Sequence, residues 1–173
     1  MLGRRKIRLG WRFQGGGVIR FTCGFKVQRP IEDVFELISD VENYCRWVPS
    51  NSLVFLETVI TSAHRRGLGL TYVDKVRGGG KSVGEVVAYD PPDGFMIRQT
   101  TYYGLPLFTA DFSYRLRRAG HVTHVTHTTT ASALGVFKPV APILKNFIRR
   151  ERTMTCEGLV RELEKPPGEH PMA

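Results

Sequence analysis

The sequence contains few cysteines and no long hydrophobic run. The three cysteines, Cys23, Cys45 and Cys156, are scattered without CxxC spacing. An odd and sparse set argues against a disulfide scaffold and is typical of a reducing compartment. No apolar run approaches the roughly 20 residues of a membrane-spanning helix, and residues 1–17 lack the apolar core of a secretory signal. We therefore expect a cytoplasmic protein.

Signature motifs of catalysis are absent as well. The sequence has no phosphate-binding loop, dinucleotide fingerprint, nucleophile elbow or HExxH motif, and its serines and cysteines have no evident base partner. These absences argue against nucleotide-dependent and nucleophilic enzymes, and no cofactor is expected. Any catalysis would have to depend on acid–base side chains in a pocket.

Acidic residues are in the minority, with 16 Asp+Glu against 25 Lys+Arg and a net charge of +9. The first 20 residues hold six basic residues and no acidic one. Because stacking aromatics do not accompany the charge, nucleic acid is not an expected partner. Residues 2–13 alternate basic and apolar side chains, so they either dock on an anionic membrane surface, which would make the protein peripheral at the membrane, or form a disordered tail.

Hydrophobic periodicity predicts a basic flexible leader at residues 1–17, one α+β domain at residues 18–165 and a disordered tail at 166–173. The domain has seven predicted strands, at 18–27, 53–60, 68–77, 81–89, 95–103, 107–118 and 121–133. Two short helices follow the first strand, and a long helix covers about 139–164. Tight turns between consecutive strands predict a curved antiparallel sheet around the C-terminal helix.

Three stretches of the domain, residues 27–49, 84–92 and 120–126, resemble the SRPBCC superfamily, which includes START lipid-transfer and Bet v 1-like proteins. The similarity is greatest to its polyketide cyclase/dehydrase-like branch, beside the coenzyme-Q-binding START-type proteins, and it covers about residues 18–165. It implies a helix-grip fold, which is found in ligand carriers as well as in cyclases.

The inward-facing positions predict a cavity above about 300 Å³, the lower end of ordinary ligand sites. The face of strand 95–103 is ambiguous, and Arg98, Tyr102 and Tyr103 are considered for orienting a polar ligand head. The candidate ligand-binding residues are Phe21, Phe25, Trp47, Tyr72, Tyr102, Phe108, Phe112, Tyr114, His127, Phe147, Glu151 and Met154.

Three titratable residues, His127, Glu151 and Asp74, are the candidates for acid–base chemistry. His127 lies on the apolar face of its strand and is either a structural hydrogen-bonding group or a polarising donor. Glu151 and Asp74 either face the cavity with raised pKa values or pair with a neighbouring group. His121, His124 and His127 are not expected to bind a metal, because strand alternation turns His124 away from the other two.

Three functions remain open at this point. The favoured one is binding or transport of a hydrophobic small molecule, such as a lipid, an isoprenoid quinone or a polyketide. The second is a polyketide cyclase or dehydratase that uses the acid–base residues of the cavity, so whether the protein is an enzyme is left open. The third is a non-catalytic interaction protein with a filled core.

Overall fold

A computed structural model describes residues 7–14, 18–48, 52 and 55–165 of the chain. Eight strands, two α-helices and two 3₁₀ helices occur in these residues. In chain order they are β1 (Arg8–Gln14), β2 (Val18–Val27), α1 (Ile31–Ser39), a 3₁₀ helix (Val41–Arg46), β3 (Phe55–Ile60), β4 (Thr71–Val76), β5 (Gly80–Asp90), β6 (Gly94–Tyr103), β7 (Leu105–Ala119), β8 (Val122–Ala133), a second 3₁₀ helix (Gly135–Val140) and α2 (Ala141–Leu163). None of the described helices is long and apolar enough to cross a membrane.

All eight strands form one antiparallel sheet in the order β1-β2-β8-β7-β6-β5-β4-β3. Strands β3 to β8 are a meander, and β2 closes beside the last strand of that meander, with Cys23 opposite His127. Irregular register near Phe55, Val86 and Thr101 interrupts three of the strand pairs. Such bulges bend strands and increase their twist, which helps the sheet curve around α2.

The predicted seven strands are all present, and the strand count is corrected to eight by β1. This strand lies in the segment predicted to be a flexible leader, where Arg8–Gln14 pairs with β2. The ring of Trp11 lies 4.3 Å from that of Phe21, and Ile7 and Trp11 pack against the core of the domain. Residues 1–6, 15–17 and 166–173 lie outside the described part, and the predicted domain boundaries stay predictions.

The main core lies between β2, α1 and the C-terminal half of α2. Helix α1 buries four apolar residues at helical spacing, as the sequence predicts: Ile31, Val34, Phe35 and Ile38. Leu159 and Leu163 of α2 join the same cluster, together with Phe21 and Phe25 of β2. Because this cluster fills one end of the domain, the remaining space between the sheet and α2 lies toward the first half of that helix.

The long C-terminal helix begins later than predicted. The sequence predicts one helix from about residue 139, but Gly135–Val140 forms a 3₁₀ helix and α2 starts at Ala141. Pro139 lies in the 3₁₀ segment. A proline ring fits the first turn of an α-helix but not its interior, so the α-helix starts just beyond it.

Candidate ligand-binding site

A cavity of about 90 Å³ lies between the inner face of the sheet, the first 3₁₀ helix and α2. Its aromatic lining consists of Tyr44, Trp47, Phe55, Tyr72, Phe108, Phe112, Tyr114 and Phe147. Aliphatic side chains add Val48, Val76, Ile97, Ala110, Ala131 and Ile148. The polar lining consists of Ser52, Asp74, Ser82, Gln99, Thr101, Thr129, Glu151, Arg152 and Thr155.

The predicted volume above 300 Å³ is wrong, because the cavity of the structure is less than a third of that size. Space for water in a protein requires roughly 10–15 Å³ per molecule, so the cavity has room for about six waters or one small ring. Ile97 from the sheet and Ile148 from the helix both line it and narrow the gap between the two layers. Phe55 and Phe108 are only half-buried, so part of the cavity wall borders on solvent.

Seven of the twelve predicted ligand-binding residues line this cavity: Trp47, Tyr72, Phe108, Phe112, Tyr114, Phe147 and Glu151. Strand alternation placed the four strand residues among them correctly, because Tyr72, Phe108, Phe112 and Tyr114 all belong to inward-facing sets. Contact of these side chains with a ligand stays a prediction.

The other five predicted residues lie elsewhere. Phe21 and Phe25 are packed in the main core, because α1 and the end of α2 cover that part of β2. Met154 lines an outer groove beside Leu9 of β1. It follows the inward-facing Glu151 by three residues, which is less than one full helical turn, so its side chain points to the side of the cavity and not into it. Tyr102 and His127 also lie outside the cavity lining.

The inner face of β6 is formed by Ile97, Gln99 and Thr101, which resolves the ambiguity of that strand. Arg98 and Tyr102 occupy the positions that alternate with this inward set and belong to the outer face, where Arg98 forms an ion pair with Asp111. Tyr103 is exposed and donates a hydrogen bond from its hydroxyl to the carbonyl of Arg77, with 2.7 Å between the oxygens. These three residues therefore do not orient a ligand in the cavity.

His127 points inward, as its strand parity predicts, but it lies behind the wall of the cavity. Its ring stacks on that of Tyr114, with 4.3 Å between centroids, and its Nε2 is 2.9 Å from Thr129 Oγ1. Burial, followed by the charge of Arg152, lowers the pKa of His127 to about 3. The imidazole is therefore neutral at physiological pH and supports Tyr114 from behind.

Asp74 is a buried carboxylate on the cavity wall. Thr58 Oγ1 donates a hydrogen bond to its Oδ1 at 2.6 Å, and Gln99 Nε2 donates one to its Oδ2 at 3.0 Å. Burial raises the pKa of Asp74 from 3.8 to about 6, although both hydrogen bonds and the charge of Arg152 act in the opposite direction. Desolvation of the charged form thus exceeds the stabilisation that its neighbours provide.

Glu151 faces the cavity from α2 and accepts a hydrogen bond from Ser52 Oγ at 2.8 Å. The three acid–base candidates therefore have different partners: Asp74 contacts Thr58 and Gln99, Glu151 contacts Ser52, and His127 contacts Thr129. They do not form a hydrogen-bonded set. In the described part of the chain, no three His, Cys, Asp or Glu side chains are grouped as metal ligands would be.

Two features of the site were not found from the sequence. Arg152 lines the cavity with its guanidinium carbon 4.9 Å from the ring centre of Phe112. Its spacing from Ile148 and Thr155 is that of one helical face, which was the available signal. Tyr44 of the first 3₁₀ helix brings a ring into the cavity, 4.7 Å from that of the predicted residue Trp47, and the sequence placed Tyr44 only on a short helix.

An antiparallel sheet that wraps a long helix over a partly apolar cavity defines the helix-grip class of Bet v 1-like folds. The chain belongs to the family described as polyketide cyclase / dehydrase and lipid transport, whose model matches residues 18–164. Membership of this family supports binding of a hydrophobic small molecule at the level of the family as a whole. No curated protein is significantly similar to the chain in sequence.

Solved structures share the fold at low sequence identity. A protein from Arthrobacter aurescens has a TM-score of 0.65 at 12% identity, covering 95% of this chain and 98% of that one. CalU16 from Micromonospora echinospora has a TM-score of 0.62 at 17% identity, covering 100% and 81%. Ara h 8.0201 has a TM-score of 0.62 at 13% identity, covering 84% and 97%. At these identities the likeness establishes the fold alone.

Proposed function

We propose that this protein binds a hydrophobic small molecule in the cavity between its sheet and α2. The observation that carries the proposal is a cavity with a mainly aromatic lining. Phe112 and Tyr114 of β7 and Phe147 of α2 belong to this lining. Aromatic walls with a few placed polar groups are typical of small-molecule sites. Membership of a family associated with lipid transport and polyketide chemistry supports the same function.

The size of the cavity limits the ligand that it accepts without rearrangement. A space of about 90 Å³ accommodates one ring but not a long acyl chain. A quinone head or a small aromatic polyketide therefore fits better than an extended lipid, and a likeness to coenzyme-Q carriers remains part of this proposal. Phe55 and Phe108 are half-buried. Rotation of these side chains toward solvent would open more space in the cavity, and side chains that reach solvent change rotamer rapidly.

The polar lining favours a cyclase or dehydratase as a second candidate function. Asp74 faces the cavity with a pKa of about 6, which suits a side chain that exchanges protons near neutral pH. In this alternative Asp74→Asn binds the substrate with similar affinity but loses turnover. A variant that retained turnover would contradict a catalytic role for Asp74.

Binding is tested by NMR titration with toluene, an uncharged apolar probe of one ring that matches the size of the cavity. Ala110 lines the cavity and Ala88 is exposed on the outside of β5. We expect Ala110→Leu to weaken probe binding at least tenfold because the larger side chain occupies the cavity, whereas the matched Ala88→Leu leaves it unchanged. Equal affinity in all three proteins, or no binding by any of them, would overturn the proposed function.

Docking on an anionic membrane is a further part of the proposal. Leu9 of β1 is exposed and lines an outer groove with Arg149 and Arg150 of α2. Arg8 and Arg12 are exposed on the opposite face of the same strand. An exposed apolar residue beside several basic ones is a combination that favours contact with anionic lipid, and a surface of this kind would suit a carrier of a membrane-derived ligand.

A further inference from the structure

The first 3₁₀ helix and the residue that follows it carry two buried polar atoms that have no hydrogen-bond partner in the described residues. They are the hydroxyl of Tyr44 and the indole Nε1 of Trp47. Trp47 is 4% exposed, and both residues line the cavity. Buried polar groups in folded proteins are nearly always paired, so two neighbouring exceptions in one cavity require a partner that is not part of the protein.

Both groups act as hydrogen-bond donors. The indole Nε1–H of Trp47 is a donor only. Burial, followed by the nearby Tyr114, Tyr72 and Asp74, raises the pKa of Tyr44 well above its ordinary value, so its hydroxyl keeps its proton at neutral pH. A hydroxyl can also accept, but the indole N–H cannot, so a partner shared by both atoms is an acceptor.

Several other polar groups of the same wall have partners within the protein. Tyr72 donates its hydroxyl to Gln99 Oε1 at 3.3 Å, and Gln99 in turn donates to Asp74. Ser82 and Thr101 form a hydrogen bond of 2.8 Å with each other. The donors of Tyr44 and Trp47 thus lack partners, whereas neighbouring polar groups have them. This difference indicates a specific position for a hydrogen-bond acceptor of the ligand, beside the apolar part of the lining.

We propose that the ligand of this cavity carries a carbonyl oxygen, which accepts hydrogen bonds from Tyr44 and Trp47 while its apolar body packs on Phe112. A carbonyl oxygen has two lone pairs and accepts two such bonds. The inference rests on the proposed function and deepens it from a hydrophobic ligand to a carbonyl-bearing one. Ketones, quinones and esters share this chemistry.

The test compares acetophenone with α-methylstyrene, which has nearly the same shape but a C=CH₂ group in place of the carbonyl. Dissociation constants are measured by NMR titration of the full chain, in wild type, Tyr44→Phe and Trp47→Phe. Each substitution removes one donor and keeps an aromatic ring. We expect the affinity ratio of ketone to alkene to fall about fivefold to tenfold for each donor removed.

The indole resonances provide a second, direct measurement on the wild-type protein. The Nε1–H signal of Trp47 should move downfield with acetophenone and not with α-methylstyrene, while that of Trp11, which lies outside the cavity lining, serves as the internal reference. Methyl benzoate distinguishes the sources of the carbonyl, because tighter binding of this ester than of the ketone would assign an ester ligand instead of a ketone or quinone.

The possible outcomes separate this inference from the proposed function. If both acetophenone and α-methylstyrene bind but their affinity ratio is the same in all three proteins, the two donors hold water only and the inference is overturned, while the proposed function stands. If neither compound binds and toluene does not bind either, the proposed function is contradicted and the inference falls with it.

Discussion

The ring of Tyr72 lies directly over the backbone of Gly84, its partner across the β4–β5 pair. A Cβ at position 84 would be 2.2 Å from Tyr72 Cζ and 2.5 Å from its hydroxyl oxygen. The absence of a side chain at Gly84 therefore lets Tyr72 lie flat on the sheet and reach Gln99 with its hydroxyl. The shape of the cavity wall depends on a close approach between ring and backbone.

Gly84→Ala should lower the free energy of unfolding by about 1–3 kcal/mol, because the added methyl group displaces the buried ring of Tyr72. The matched control is Gly24→Ala in β2, where the nearest atom to an added Cβ is the carbonyl oxygen of Val125 at 4.0 Å. Urea denaturation compares the two. Equal stability of both variants would contradict the packing described for Tyr72.

The ionisation of Asp74 should lower the free energy of unfolding as pH rises from about 4 to 6. The native carboxyl has a pKa of about 6, against an ordinary value of 3.8, so in this window the native state binds more protons than the unfolded chain. The difference corresponds to about 3 kcal/mol. Asp74→Asn removes this contribution, and its stability relative to wild type should increase by about 2 kcal/mol between pH 4 and pH 7, because part of the difference is already present at pH 4.

That increase is measured by urea denaturation at the two pH values. Comparing each variant with wild type at the same pH removes the effect of other titrating groups. A constant difference between Asp74→Asn and wild type from pH 4 to pH 7 would show that the pKa of Asp74 is not raised by burial.

The ionisation of His127 should have the opposite effect, so that its contribution to the free energy of unfolding increases as pH rises from about 4 to 6. Its native pKa of about 3 lies below the ordinary 6.5, so the unfolded chain takes up a proton that the native state does not, and stability is lost as pH falls from 6.5. The slope approaches about 1.4 kcal/mol per pH unit. In wild type this nearly cancels the contribution of Asp74 between pH 4 and 6.

His127→Gln removes the titrating group and leaves an amide that can still bond to Thr129. We expect the variant to be less stable than wild type at pH 7, because the stacking on Tyr114 is lost, but to gain stability relative to wild type as pH falls to 4. Thermal denaturation at several pH values measures the trend. A parallel pH profile for the variant and wild type would be inconsistent with a buried, neutral His127.

Membrane docking predicts a position-dependent effect of charge reversal. The double variant Arg149→Glu/Arg150→Glu should reduce cosedimentation with vesicles of phosphatidylcholine and phosphatidylserine at least tenfold, since each basic residue near an anionic surface contributes about 1 kcal/mol. The control Arg115→Glu/Arg117→Glu changes the net charge equally at exposed positions of β7. If both variants lose binding equally, net charge rather than the β1–α2 surface is responsible.

Much of the fold could be predicted because alternation and helical spacing are local properties of the sequence. Side chains of a strand alternate between its two faces. This alternation predicts the inward positions of Tyr72 and Asp74 on β4, of the set from Phe108 to Tyr114 on β7, and of the buried His127 on β8. The segment at Arg8–Gln14 has the same alternation, but an edge strand also requires a partner at the right place, and that partner was visible only in the pairing with β2.

The sequence by itself determined which face points inward for most strands, because the positions of side chains along a strand repeat with a fixed period, but it left the face of β6 open. Only the tertiary structure decided how far apart the inward faces lie and which side chains meet between them. It placed His127 behind Tyr114, reduced the cavity to about 90 Å³ and brought the unpaired donors of Tyr44 and Trp47 to its wall. These relationships depend on the packing of elements that are distant along the chain, which local periodicity does not specify.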